Sequence, residues 1–389
     1  MIAAQDFFSA LKAYHYRFFC GVPCSYLTPL INATISDETL TYVGATNEGE
    51  AVAMALGARV AGVPSVFMCQ NSGLGNGVSP LTSLAEPFRI PLLCIVTWRG
   101  EDQRHAEPQH EKMGQITHDL ITLMGLGMCP FPKKKEDIVP CLHKAEQHYK
   151  THATPFVLVM SQGDVKKETL REKAWRARPK GHIHDFRERK ESVPSRFETL
   201  RHVRAIVPRH CPLIATTGKC GRELFTIEDH DAHFYQVGAM GYASAFAFGV
   251  ALHTERDVIV LDGDGAALMH MGSMATIGAY APPHYTHIVL DNACHDSTGG
   301  QSTISPMIDF CAIAQACGYR HIYQSDSLAS LETCYTHRQA CRHSGQEGAQ
   351  GPAFIHMRIQ AGSIAPLGRP SVDTPSLAKR FSAFLQQTA

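Results

Sequence analysis

Two neighbouring stretches decide how this chain folds: VIVLDGDGAALMH (Val258–His270) and HIVLDNACHDSTGGQ (His287–Gln301). Each opens with a β-branched apolar run and breaks abruptly into small polar residues. That is the signature of a buried strand ending at a loop. The text between them is helical in character, with Leu268, Met271 and Met274 spaced to face a core. A strand, a helix and a second strand make a βαβ unit, so Asp264 and Asn292 are expected at the ends of adjacent or nearby parallel strands.

The same rhythm runs outward in both directions. TLTYVGA, VPSVFMCQN, PLLCIVTW and TPFVLVMS read as strands in the first part, and CPLIATTG and PAFIHMRIQ in the second. The predicted fold is α/β, with two open parallel-sheet domains. The chain has 389 residues, too many for one ordinary core. The expected boundaries are a first domain over 1–165, a connector over 166–195 and a second domain over 196–389. The connector is rich in charge and broken by Pro179, Gly181 and Pro194. Its interleaved acids favour a solvated link over a nucleic-acid patch.

Composition excludes several classes of function. Lys+Arg and Asp+Glu both number 36, so no global field draws the chain to nucleic acid or membrane. No apolar run reaches membrane-span length, and the N-terminus does not read as a secretory signal. Thirteen scattered cysteines form no disulfide framework, which suits a cytoplasmic protein with free thiols, Cys20 and Cys24 included.

Open parallel sheets bind ligands at the carboxyl ends of their strands. There, Gly263, Gly265 and Ala266 offer close backbone approach and helix N-terminal N–H groups to a phosphate. A carboxylate at Asp264 would repel a bare phosphate, so a divalent cation is expected between them. The Asn292 amide oxygen and the Cys294 carbonyl complete a hard-oxygen ligand set of the kind magnesium takes.

Gly263-Asp264-Gly265, followed about 25 residues later by Asp291-Asn292, resembles the cofactor signature of the thiamine diphosphate-dependent decarboxylases, although Asp291 replaces the more usual Asn. The resemblance extends along nearly the whole chain. QVGAMGYASAFAFG (Gln236–Gly249) is similar to the segment that cradles the cofactor, which implies roles for the Gly238 carbonyl and for Met240. In TTGKCGREL, Gly218 and Lys219 are implied contacts to the diphosphate or substrate anion. ATNEGEAVAMALGARVAG (Ala45–Gly62) resembles the element that carries the catalytic glutamate, so Glu48 takes that role and Glu50 is read as a helix-start charge.

Two domains without a third central one resemble the compact family members that decarboxylate 2-oxo acids bearing a second anion. This implies conversion of 3-phosphonopyruvate to phosphonoacetaldehyde and carbon dioxide in phosphonate biosynthesis. The alternative is sulfopyruvate going to sulfoacetaldehyde. The second anion needs its own donors. Those expected are Ser25, which could also cap the helix it precedes, Arg99, Arg104, His105 and Ser297, with His110 and His295 as proton-handling groups. Exposed polar loops remain the alternative reading for these histidines and arginines. The family also implies self-association, with Glu48 of one subunit meeting Asp264 of another. A nicotinamide-dehydrogenase reading of FMCQNSGLGNG fails because Val78 stands where the third glycine belongs.

Overall fold

The apolar runs become parallel strands because a strand covered by helices on both faces has no solvent side to encode. A computed structural model of the chain describes residues 1–102, 106–343 and 350–387. It divides into two units, Met1–Trp175 and Arg176–Ala389.

The first unit carries β1 (Phe18–Gly21), β2 (Thr41–Gly44), β3 (Ser65–Gln70), β4 (Leu93–Thr97), β5 (Gly127–Pro130) and β6 (Phe156–Met160). They form one parallel sheet in the order β2-β1-β3-β4-β6-β5. Every residue of β1, β4 and β6 is buried. The helix Glu48–Val60 packs against the sheet and is buried along most of its length, as its alanine-rich sequence permits. It starts at Asn47, whose side chain accepts the Glu50 N–H at 3.0 Å.

The second unit carries β7 (His182–Asp185), β8 (Leu213–Ala215), β9 (His233–Tyr235), β10 (Val258–Gly263), β11 (Tyr285–Asp291), β12 (Cys294–His295), β13 (Gln301–Ser302), β14 (His321–Ser325) and β15 (Ala353–Arg358). Seven of these build a parallel sheet in the order β7-β14-β15-β11-β10-β8-β9, and β12 and β13 pair as a separate antiparallel hairpin. The two-sheet parallel α/β architecture expected from sequence is therefore present. β10 and β11 are direct neighbours, with Gly263 opposite Leu290.

Two details differ from the sequence reading. The charged stretch read as a connector is structured at both ends. Glu168 accepts a hydrogen bond from Asn32 at 2.8 Å in the first unit, and His182–Asp185 is an edge strand of the second sheet. Edge strands tolerate charge because one side is unpaired, which hid this one. The helix after Asp264 is split into Asp264–Met269 and Gly272–Tyr280, so its phase resets at His270. Ala267, Met274 and Ile277 then enter the core, while Leu268 and Met271 are only half-buried. Among the described residues, no helix is long and apolar enough to cross a membrane.

Candidate active site

In the second unit, the carboxyl ends of β8, β10 and β11 surround a cavity of about 320 Å³. Gly218, Lys219, Met240, Gly263, Asp264, Gly265, Ala266, Asn292, Cys294, His295 and Ser297 all line it. Eleven residues singled out from separate stretches of sequence thus meet at one place. Gly238 is not in the wall; its carbonyl accepts from the Gln236 amide at 3.3 Å in the preceding turn. Met240 is 56% exposed, so it is not spent on core packing.

Glycine backbone forms part of the wall, with the β12–β13 hairpin close against it. Gly218 has φ +93°, and a Cβ there would come within 2.8 Å of Ser297 Oγ. Only glycine admits both that conformation and that approach.

Asp264 is almost fully buried and accepts from Thr303 Oγ1. Burial raises its pKa above the ordinary carboxylate range, against the Thr303 hydrogen bond, and the nearby Asp291 charge raises it further. Asp291 takes the opposite direction. Burial pushes it up, but His356 Nε2 at 2.8 Å and Ser305 Oγ at 2.7 Å outweigh burial and hold it low. The departure of Asp291 from the usual asparagine therefore has a local partner set that favours the charged form.

Asn292 is oriented by its own neighbours. Its Nδ2 donates to Asp296 Oδ2 at 2.7 Å, and its Oδ1 accepts from the Cys294 N–H at 3.1 Å. Asp296 is in turn fixed by Arg196 Nη1 at 3.1 Å and by the Gly362 N–H. Arg196 is buried and grips Glu223 with Nε at 3.0 Å and Nη2 at 3.1 Å. A paired, fully hydrogen-bonded arginine is the form in which buried charge is tolerated. Arg196, Glu223 and Asp296 were not anticipated from sequence. Arg196 follows a Ser195/Glu198 capping box that does announce a helix, but nothing local announces a partner a hundred residues away.

The donor chemistry fits a hard divalent cation with a diphosphate. Asp264 and Asn292 follow directly on the ends of adjacent strands, beside a glycine-lined wall. Thr216 Oγ1, buried in the same wall, has no hydrogen-bond partner among the described residues.

The first unit gathers a second set. Glu48 opens its helix, and its Oε2 accepts from Asn76 Nδ2 at 2.8 Å. Its other oxygen lies so close to Gly73 that a Cβ there would be only 2.0 Å away. Glu50 stands in the first turn of the helix, as expected; it is 1% exposed and accepts from the Thr46 N–H at 2.8 Å. Ser25 does not cap the helix Thr28–Ile35; it accepts from Arg99 Nη1 at 2.8 Å. Arg99 also stacks over Tyr26, 4.7 Å from the ring centroid. His110 is buried in the first turn of the helix Pro108–Leu123, with Nε2 3.3 Å from Glu107 Oε2. Glu107 lies 3.8 Å from Arg99 as well. Strand order explains the meeting of Ser25 and Arg99, since β1 and β4 flank β3 and their loops emerge on the same edge. Arg104 and His105 lie outside the described residues.

Comparison with known proteins supplies independent findings. The family described as thiamine pyrophosphate enzyme, N-terminal TPP binding domain matches residues 1–121, and the corresponding C-terminal TPP binding domain family matches 218–357. A phosphonopyruvate decarboxylase from Streptomyces viridochromogenes is 43% identical over 99% of this chain and 95% of that protein. A sulfopyruvate decarboxylase subunit beta from Methanothermobacter thermautotrophicus is 33% identical over 48% of this chain and 92% of that subunit. Among solved structures, a thiamine diphosphate-dependent 4-hydroxybenzoylformate decarboxylase from Rhodococcus jostii superposes with a TM-score of 0.72. It covers 93% of this chain and 99% of that one at 14% identity, which speaks to the fold alone.

Proposed function

We propose, for a chain that belongs to the phosphonopyruvate decarboxylase family of thiamine diphosphate enzymes, the magnesium-dependent decarboxylation of 3-phosphonopyruvate to phosphonoacetaldehyde and carbon dioxide. The observation that carries this reading is the end-to-end 43% identity to a decarboxylase of that name.

Asp264, Asn292 and the Cys294 carbonyl hold the cation. Gly263, Gly265, Ala266, Gly218 and Lys219 receive the diphosphate, and Gly238 and Met240 support the rings. Bound there, the cofactor supplies the electron sink that a 2-oxo acid lacks when carbon dioxide leaves. Glu48 acts as the acid–base group through the oxygen turned toward Gly73, while Asn76 fixes the other oxygen. Arg99 and Ser25 meet the second anion of the substrate; a guanidinium beside a hydroxyl suits the oxygens of a phosphonate. Arg104, His105 and Ser297 add polar groups, and His110 and His295 move protons at their ring nitrogens.

We further propose that the enzyme self-associates, with Glu48 of one subunit serving the site built on Asp264 of another, and that it works in the cytoplasm in phosphonate biosynthesis. The second substrate reading is sulfopyruvate, favoured by the similarity to a sulfopyruvate decarboxylase subunit. The test is turnover of phosphonopyruvate, sulfopyruvate and pyruvate side by side with thiamine diphosphate and magnesium. The phosphonate is expected to lead pyruvate in kcat/KM by about 100-fold or more, as a site built around an anion rejects analogues that lack it, and to lead sulfopyruvate by less. A sulfonate preference would overturn the substrate, and no carbon dioxide from any of the three would overturn the activity.

A further inference from the structure

Cys129 and Cys141 bring their sulfur atoms to 3.0 Å of each other in the first unit. Cys129 sits on edge strand β5, and Cys141 in the first turn of the helix Ile138–His152, which packs behind that strand. Both are reduced and mostly buried, at 8% and 6% exposure, yet both line a cavity of about 460 Å³ at the surface. Lys133, Lys134 and Lys144 line the same cavity, against a single acid, Asp137. Nothing in the proposed decarboxylation uses this place.

The geometry points to an oxidisable dithiol: we propose that Cys129 and Cys141 exchange with a small anionic disulfide of the glutathione class and close to an internal disulfide. Four observations converge on this. The sulfurs need move only about 1 Å to reach bonding distance. The Cys141 thiol has an acceptor in the Pro130 carbonyl at 3.6 Å, and the two sulfurs share a hydrogen bond in which either can donate. That hydrogen bond lowers the Cys129 pKa, burial opposes it, and the Lys144 charge adds to the lowering. The lysines supply a local positive field that favours an anionic reagent over a neutral or cationic one.

The exchange balances in two steps. The Cys129 thiolate attacks one sulfur of the glutathione disulfide, forming a mixed disulfide and expelling one glutathione thiolate. The Cys141 sulfur then attacks the Cys129 sulfur; the second glutathione leaves and takes up the Cys141 proton. The protein loses two electrons and two hydrogens in total, and one disulfide becomes two thiols. In a reducing compartment the pair rests as the dithiol described here.

Holoenzyme treated with glutathione disulfide, then alkylated and peptide-mapped, tests the proposal. A cross-linked pair of peptides carrying Cys129 and Cys141 is expected, with the loss of two alkylatable thiols. Cys141→Ser should instead accumulate one glutathione adduct at Cys129, and Cys129→Ser should form neither product. The cationic disulfide cystamine should react roughly tenfold more slowly at low salt, with the gap closing as salt rises. Both thiols staying alkylatable while the less buried Cys294, Cys317 or Cys341 are oxidised would overturn the site. An adduct trapped at Cys141 rather than Cys129 would overturn the order of attack, and a faster reaction with cystamine would overturn the preference for an anion.

Discussion

The polar chain behind Asn292 and the polar groups near Arg99 are paired differently, although each unit also buries polar atoms with no partner among the described residues, Thr216 Oγ1 in the second included. Around the cavity of the second unit, Asn292, Asp296, Arg196 and Glu223 form a chain in which each charge meets its partner at hydrogen-bond distance. In the first unit, Glu50 Oε1, Asn71 Oδ1, Arg99 Nε and His110 Nδ1 are buried with no hydrogen-bond partner among the described residues. A satisfied network holds a shape, whereas an unsatisfied buried group keeps its interaction energy for something that arrives later. Under the proposed function, that contrast would give holding to the Asp264 site and reacting to the Glu48 site.

That division is most severely tested by Glu48→Gln, which keeps the shape and removes the acid. Activity should fall by about 10² to 10⁴-fold, the range general acid–base groups supply. Binding of thiamine diphosphate, followed by calorimetry, should change little, because the holding groups belong to the other unit. Mixing Glu48→Gln with Asp264→Ala adds a sharper result. If the working pair comes from different subunits, random hybrid dimers contain one intact site, and about a quarter of wild-type activity should return. No recovery on mixing, in subunits shown to exchange, would place both residues in one chain's site.

Asp264→Ala should lower magnesium and cofactor affinity by about 100-fold or more, with smaller loss of rate at saturation. Asp296→Asn should act in the same direction but more weakly, by roughly tenfold, since partners of metal ligands typically carry that much. It leaves one neutral acceptor oxygen in place of the charged carboxylate that Asn292 Nδ2 and Arg196 Nη1 share. A magnesium titration, read by the onset of cofactor binding rather than by turnover, separates both variants from damage to chemistry. Equal effects on kcat with unchanged affinity would erase the distinction between the units.

What could be read from the sequence follows the same line. Asp264 and Asn292 were legible together because one βα unit separates them and adjacent parallel strands are the rule for such units. The helix that Glu48 opens was legible from its motif, yet the burial of Glu50 two residues on was not, because a helix start looks alike whether its acid faces water or a turn. The Ser25–Arg99 contact depends on β3 lying between β1 and β4, and the Arg196–Asp296 contact on pairs far apart in the chain. Those are properties of strand order, which no local window carries. β7 escaped notice because its histidines and aspartate lack the apolar run of an interior strand.

Gly73 probes the reacting side at smaller scale. Gly73→Ala places a methyl where Glu48 Oε1 now lies, with the carboxylate carbon only 2.4 Å from the new Cβ. The Glu48 side chain must move, and a misplacement of that order costs up to about 100-fold in rate. The expected result is a lowered kcat with cofactor affinity preserved. A loss of affinity matching the loss of rate would make Gly73 part of the holding machinery instead.

The mildest test concerns stability, and it turns the comparison around. The second unit buries His233 and half-buries His253, and loss of solvent depresses each pKa to about 4. In the unfolded chain a histidine titrates near 6.5, so below that pH the unfolded state binds more protons than the folded one. The stabilising effect of keeping these rings neutral is therefore complete above about pH 6.5 and is lost as pH falls toward 4, by roughly 3 kcal/mol for each at most. The first unit has no histidine lowered that far among the described residues; its His148 is shifted in the same direction by burial and by His152. Hydrogen exchange followed between pH 7 and pH 5 should therefore show protection falling first around β9 and β10. His233→Gln, which cannot take up a proton, should flatten that fall, provided it still folds at pH 7. Equal loss of protection in both sheets would mean that acid acts on a single cooperative unit, and that the tightly wired half of the molecule is no more acid-sensitive than the other.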